Sequence, residues 1–70
     1  MNGHEVIRAL YRAGFAFDRQ SSSHVILWHP ERARGVSVPV HGSKDLKPGV
    51  LRRTLRDAGL TVEEFRALLG

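Results

Sequence analysis

Seventy residues without one cysteine leave this chain no disulfide and no thiolate-bound zinc with which to reinforce a small core. A core of that size contributes roughly a few kcal/mol beyond chain entropy. The expectation is therefore one domain over residues 1–70, built from regular elements with short connections or supported by a partner. No apolar run approaches the roughly 20 residues that a membrane span requires. The N-terminus does not read as a signal peptide, because Glu5, Arg8 and Arg12 interrupt any hydrophobic stretch. No membrane is expected, and the lack of cysteine fits a reducing cytoplasm.

Hydrophobic periodicity gives the order of elements. Val6, Leu10 and Ala13, with Ile7 beside them, mark a helix over about residues 3–13, and Gly14 suits its C-terminal cap. Phe15 to Gln20 alternates as a first strand, with Phe15, Phe17 and Arg19 on one side. His24 to Trp28 is apolar on both sides, which marks a central strand. The turn His29 to Gly35 leads to a third strand in which Val36, Val38 and Val40 alternate with Ser37, Pro39 and His41. Pro39 cannot donate to a ladder, so this strand belongs at an edge or carries a bulge.

Pro48 opens a second helix with Leu51, Leu55 and Ala58 as its buried stripe, and Gly59 ends it. Thr61 and Glu64 form a capping box for a short last helix that buries Val62, Phe65 and Leu69. Phe15, Phe17 and Phe65 are expected in the core, and Trp28 either in the core or at an interface. The order α-β-β-β-α(-α) with short loops predicts an α+β fold: a three-stranded antiparallel sheet with helices packed on one face. That arrangement is close to the double-stranded-RNA-binding domain.

Charge narrows the partners. Eleven Lys and Arg face seven Asp and Glu, giving +4 and a pI near 10.7. Such a balance favours a polyanion, of which nucleic acid is the commonest. Four histidines are present, but none has a cysteine beside it and none forms a His-x-x-x-His pair. No paired carboxylates suggest a two-metal nuclease. No metal or other cofactor is therefore expected.

The chain resembles the HicA toxins of bacterial toxin–antitoxin pairs. The likeness runs through Gly14-Phe15, Arg19-Gln20-Ser21-Ser22-Ser23-His24, Val38-Pro39-Val40-His41-Gly42-Ser43-Lys44-Asp45-Leu46-Lys47-Pro48-Gly49, Leu51-Arg52, Ala58-Gly59-Leu60 and Glu64-Phe65. No single piece is diagnostic; their order and spacing in so short a chain are. The resemblance implies a double-stranded-RNA-binding-like fold, mRNA cleavage in the bacterial cytoplasm, and a HicB-type antitoxin that binds the toxin. Operator DNA can enter through that antitoxin. The family's catalytic histidine follows a Gly-Ser pair, and His24 occupies that position here, with Ser22 in place of the usual glycine.

RNA carries its own nucleophile, the 2′-hydroxyl. A histidine, with an unperturbed pKa of about 6.5, is suited to removing that proton. His24 is accordingly the candidate catalytic acid/base. Lys44 and Lys47, on the loop before the second helix, are candidates for RNA phosphates, as are Arg52 on that helix, Arg19 near His24 and the Ser23 backbone. Arg53 and Arg56 extend the positive charge, although Arg53 can instead pair with Asp57 at i+4. His41 reads as a loop residue. Trp28-His29-Pro30 can stack on a base or meet the antitoxin. Two other functions stay open at this point. One is a non-catalytic RNA-binding module of the same fold; the other is an interaction protein acting only within its complex.

Overall fold

A computed structural model describes all 70 residues. Helix α1 (Gly3–Arg12) starts from a reciprocal cap. The Asn2 side chain accepts from the Glu5 N–H at 3.0 Å, and the Glu5 carboxylate accepts from the Asn2 N–H at 2.8 Å. The chain leaves α1 through Gly14, whose φ of +101° is open to glycine at little cost. It then forms β1 (Ala16–Ser21), β2 (His24–His29) and β3 (Arg34–Pro39), an antiparallel meander in the order β1-β2-β3. Two helices follow, α2 (Pro48–Ala58) and α3 (Val62–Leu69).

The central strand divides the sheet into two unlike faces. Val25, Leu27 and His29 are buried on one side, and with Val36 and Val38 of β3 they meet Val6, Ile7, Leu10, Leu55, Ala58 and Phe65 from the helices. His24, Ile26 and Trp28 point the other way and are exposed or half-buried. The helices thus share one face of the sheet, as expected of an α+β fold of the double-stranded-RNA-binding type.

Four expectations need correction. Phe17 is 55% exposed and so does not belong to the core; Trp28, 44% exposed, lies outside it as well, which leaves its interface alternative. A β-bulge at Asp18 separates Phe17, which pairs with Leu27, from Arg19, which pairs with Ile26. Phe17 and Arg19 therefore face opposite sides of the sheet, because the extra residue inverts the alternation beyond it. The third strand starts at Arg34 and stops at Pro39, before Val40 and His41. Pro39 is its last residue, on an edge strand, where the missing N–H costs no ladder bond. In α3 only Phe65 is buried, while Val62 and Leu69 are 47% and 42% exposed. This two-turn helix rests on α1 through Phe65 and the half-buried Leu68, and the Leu68 carbonyl accepts from Arg12 at 2.6 Å.

His29 is a structural residue. Its Nδ1 accepts from the Arg32 N–H at 3.2 Å, so Nε2 carries the proton and donates to the Ala13 carbonyl at 3.1 Å. The ring also meets Phe15 edge-on, with centroids 5.1 Å apart. It thereby satisfies a carbonyl at the end of α1 that the helix leaves unpaired. The Thr61–Glu64 capping box is present at α3. Hydrogen bonds from the Thr61 backbone and hydroxyl hold the Glu64 carboxyl below the usual carboxylate range. No helix is long and apolar enough to cross a membrane.

Candidate active site

The hairpin joining β1 to β2 aims the central histidine. Ser21 pairs with His24, leaving Ser22 and Ser23 as a two-residue loop. Ser22 has a φ of +57°. A left-handed conformation costs a non-glycine residue roughly 1–2 kcal/mol, which explains why glycine suits this position and why serine strains it. Ser22→Gly is expected to stabilise the protein by about 1 kcal/mol, offset slightly by the greater freedom of the unfolded chain. Thermal melts should show a rise of about 4–8 °C; an unchanged or lower midpoint would contradict the strain.

Ser23 is half-buried, and its carbonyl accepts from the Val40 N–H at 2.7 Å. This bond ties the hairpin to the chain just past β3. His24 also pairs with Pro39 across the ladder, so its backbone is held from both sides. Its imidazole is exposed and takes part in none of the side-chain hydrogen bonds or ion pairs of the molecule.

His24 borders a cleft of about 440 Å³ at the β3 edge of the sheet, where α2 packs beside that strand. Ser37 and Pro39 of β3 line it, as do Val50, Arg53, Thr54 and Asp57 of α2. The Thr54 hydroxyl is already committed, donating to the Val50 carbonyl at 2.9 Å. The groups left for chemistry are one imidazole, one guanidinium, one carboxylate and the Ser37 hydroxyl. A second hollow, of about 430 Å³, lies on the same helix between Gly49, Arg52, Arg53 and Arg56. Arg53 borders both.

The candidate residues divide by position. Only His24 lines the cleft, and Arg52 lines the neighbouring hollow. Arg19 pairs with Ile26 on the far side of β2, and its guanidinium meets the Asp18 carboxylate at 2.9 Å. Such an exposed pair holds a side chain only weakly. Lys44 and Lys47 are exposed on the loop before α2 and line neither cavity. Asp45 of that loop meets the N-terminal ammonium at 3.2 Å, and the Leu46 N–H donates to the Met1 carbonyl at 2.8 Å. The chain start therefore anchors the loop. His41 is an exposed loop residue.

Sequence reasoning missed Ser37, Thr54 and Asp57 and treated Arg53 as background charge. The alternative Arg53–Asp57 ion pair does not form; the only ion pairs are Met1–Asp45 and Arg19–Asp18. Nothing in the local pattern of α2 announces the cleft, because it exists only where that helix packs beside β3.

Comparison with known proteins agrees with this frame. The family model described as "HicA toxin of bacterial toxin-antitoxin" matches residues 3–60. The match takes in α1, the sheet and all of α2, and so every residue of the cleft. Among curated proteins no significant match was found. The chain belongs to the HicA family of bacterial toxin–antitoxin toxins.

Proposed function

We propose that this toxin is a metal-independent endoribonuclease, an mRNA interferase, with His24 as its catalytic acid/base. The observation that carries the reading is the exposed, unpartnered imidazole sharing a cleft with a guanidinium. A base already engaged in internal hydrogen bonds would have to break them before accepting a proton. His24 has none to break.

In this mechanism the imidazole takes the proton of a ribose 2′-hydroxyl. The 2′-oxygen forms a bond to phosphorus, and the bond from phosphorus to the 5′-oxygen breaks. The leaving 5′-oxygen acquires a proton from the imidazolium or from water. The products are a 2′,3′-cyclic phosphate and a 5′-hydroxyl end, and no metal enters the balance. One positioned base contributes roughly 10²–10⁴-fold to such a step.

Arg19, Ser23, Lys44, Lys47 and Arg52 are proposed RNA contacts outside the reacting centre, acting on the phosphates through charge or a backbone N–H. A HicB-type antitoxin is the proposed neutralising partner in the bacterial cytoplasm, with operator DNA reached through it. Trp28 is a candidate anchor for that partner. It stands 44% exposed on the uncovered sheet face, and large aromatics dominate interface energetics.

End-group analysis tests the reaction class. Wild-type protein incubated with mRNA in excess EDTA should yield 2′,3′-cyclic phosphate and 5′-hydroxyl ends. New 5′-phosphate ends, or cleavage abolished by EDTA, would argue for a different mechanism.

A further inference from the structure

Three guanidiniums crowd one face of α2 with nothing to neutralise them. Gly49, Arg52, Arg53 and Arg56 recur at i, i+3, i+4 and i+7, which stacks them along a single stripe. Gly49 supplies no side chain, and a Cβ built there would meet nothing within 4 Å. The result is a hollow of about 430 Å³ walled by arginines. None of the three has an acidic partner, although Asp57 lies on the same helix. Like charges at i+3 and i+4 repel, so an isolated helix gains nothing from this arrangement. A bound anion would turn the repulsion into attraction.

The hollow adjoins the His24 cleft through Arg53, which lines both. Arg53 is the only Lys or Arg among the cleft residues. The bulk of the reacting group in RNA cleavage is a phosphate whose negative charge grows as the new bond forms, and a guanidinium can fork two of its oxygens. Asp57, also in the cleft, disfavours a phosphate at its own end. The RNA backbone is thereby drawn towards the arginine hollow.

We propose that Arg53 is a second catalytic residue, binding the scissile phosphate opposite His24, and that Arg52 and Arg56 seat the adjacent phosphate of the same RNA strand. The role of Arg53 rests on the ribonuclease reading; the seat itself requires only that the protein bind an RNA backbone. One strand would thus run along α2 with consecutive phosphates in neighbouring cavities. A single inorganic phosphate can fill one of the two positions but cannot bridge them.

Two measurements on the full chain decide this. In the first, cleavage of mRNA is followed at saturating substrate. Arg53→Ala should lower kcat by about 10²–10³-fold, the scale of losing one preorganised oxyanion donor. Arg53→Lys should recover part of that loss, since it restores the charge without the fork. A merely structural role would instead shift the melting midpoint, and lysine would give no selective rescue. In the second, anisotropy follows binding of a fully 2′-O-methylated RNA oligonucleotide, which lacks the nucleophile, over a range of salt. The double variant Arg52→Ala/Arg56→Ala should bind about tenfold more weakly. Its salt slope should fall by roughly 0.7, the loss of one phosphate contact on a single strand. The double variant Arg32→Ala/Arg66→Ala removes the same charge elsewhere and should leave the slope near wild type.

If wild type cuts and Arg53→Ala cuts with the same kcat, Arg53 is not on the scissile phosphate. If the two double variants lose affinity and slope equally, the attraction is general and there is no seat. If wild type binds but does not cut, the ribonuclease reading and the catalytic role of Arg53 fall together, and the binding series alone decides the seat.

Discussion

Gly3→Ala is expected to destabilise the protein by about 1–3 kcal/mol, although alanine is the better helix former. Gly3 is the buried first residue of α1. A Cβ there falls inside contact distance of the Pro39 carbonyl oxygen and comes within 3.3 Å of the Pro39 carbonyl carbon and Val40 Cα. All three atoms are backbone, so relief requires moving the end of β3 away from α1. Overpacking of that kind costs about 1–3 kcal/mol. Helix propensity alone would stabilise alanine by up to about 1 kcal/mol, so the sign of the result separates the two effects. Gly49→Ala is the matched control. It also lies in a helix, meets nothing within 4 Å, and should stabilise by about 0.5–1 kcal/mol. Urea unfolding of the two variants reads both signs. The displacement in Gly3→Ala should also reach the cleft, because Pro39 lines it and pairs with His24. If both glycines prove stabilising to replace, the close approach of α1 to β3 is wrong.

His24→Ala is expected to lower the cleavage rate by about 10²–10⁴-fold, the usual contribution of one positioned acid or base. It should do so without loss of fold. The side chain is exposed and makes no internal hydrogen bond, and substitutions at such places usually change stability by no more than about 0.5 kcal/mol. Activity and stability are thus expected to separate at this residue, in contrast with Gly3 and with the buried His29. Circular dichroism and a thermal midpoint close to wild type, alongside the lost rate, would establish that separation.

The elements with local signals were legible in the sequence. Gly14 and Gly59 do take positive φ at the ends of α1 and α2, and Pro48 does open α2. The Thr61–Glu64 box is formed, and the three strands follow in the expected order. The failures come from tertiary context. A bulge at Asp18 has no signature in the alternation of Phe15, Phe17 and Arg19, yet it reverses the faces beyond it. The positive φ in the turn before β3 falls on Ala33, at +50°, while Gly35 lies inside the strand with the Trp28 ring packed against it. Of the two places open to Trp28, core or interface, the core is excluded because no helix covers its side of the sheet.

The site was legible to a lesser degree. His24 rested on the family resemblance, since one histidine at a strand start carries no chemistry by itself. Ser22 stands where the family has glycine, and its φ of +57° is the physical reason that glycine suits the place. Arg53 and Asp57 could not be assigned to a cleft, because α2 lies more than twenty residues beyond His24 and only packing brings them together. Lys44 and Lys47 are candidates for charge and loop position and Arg19 for its charge near His24, and none of them lines the His24 cavity.

The measurement that bears most directly on a metal-free ribonuclease centred on His24 compares wild type with His24→Ala on radiolabelled mRNA in excess EDTA. Both proteins should first be shown folded by circular dichroism. Cleavage by wild type, with at least a hundredfold loss in the folded variant, is the expected result. Equal cleavage by the two proteins would remove His24 from the chemistry. RNA bound but left intact by both would make the protein a binding module and contradict the assigned activity.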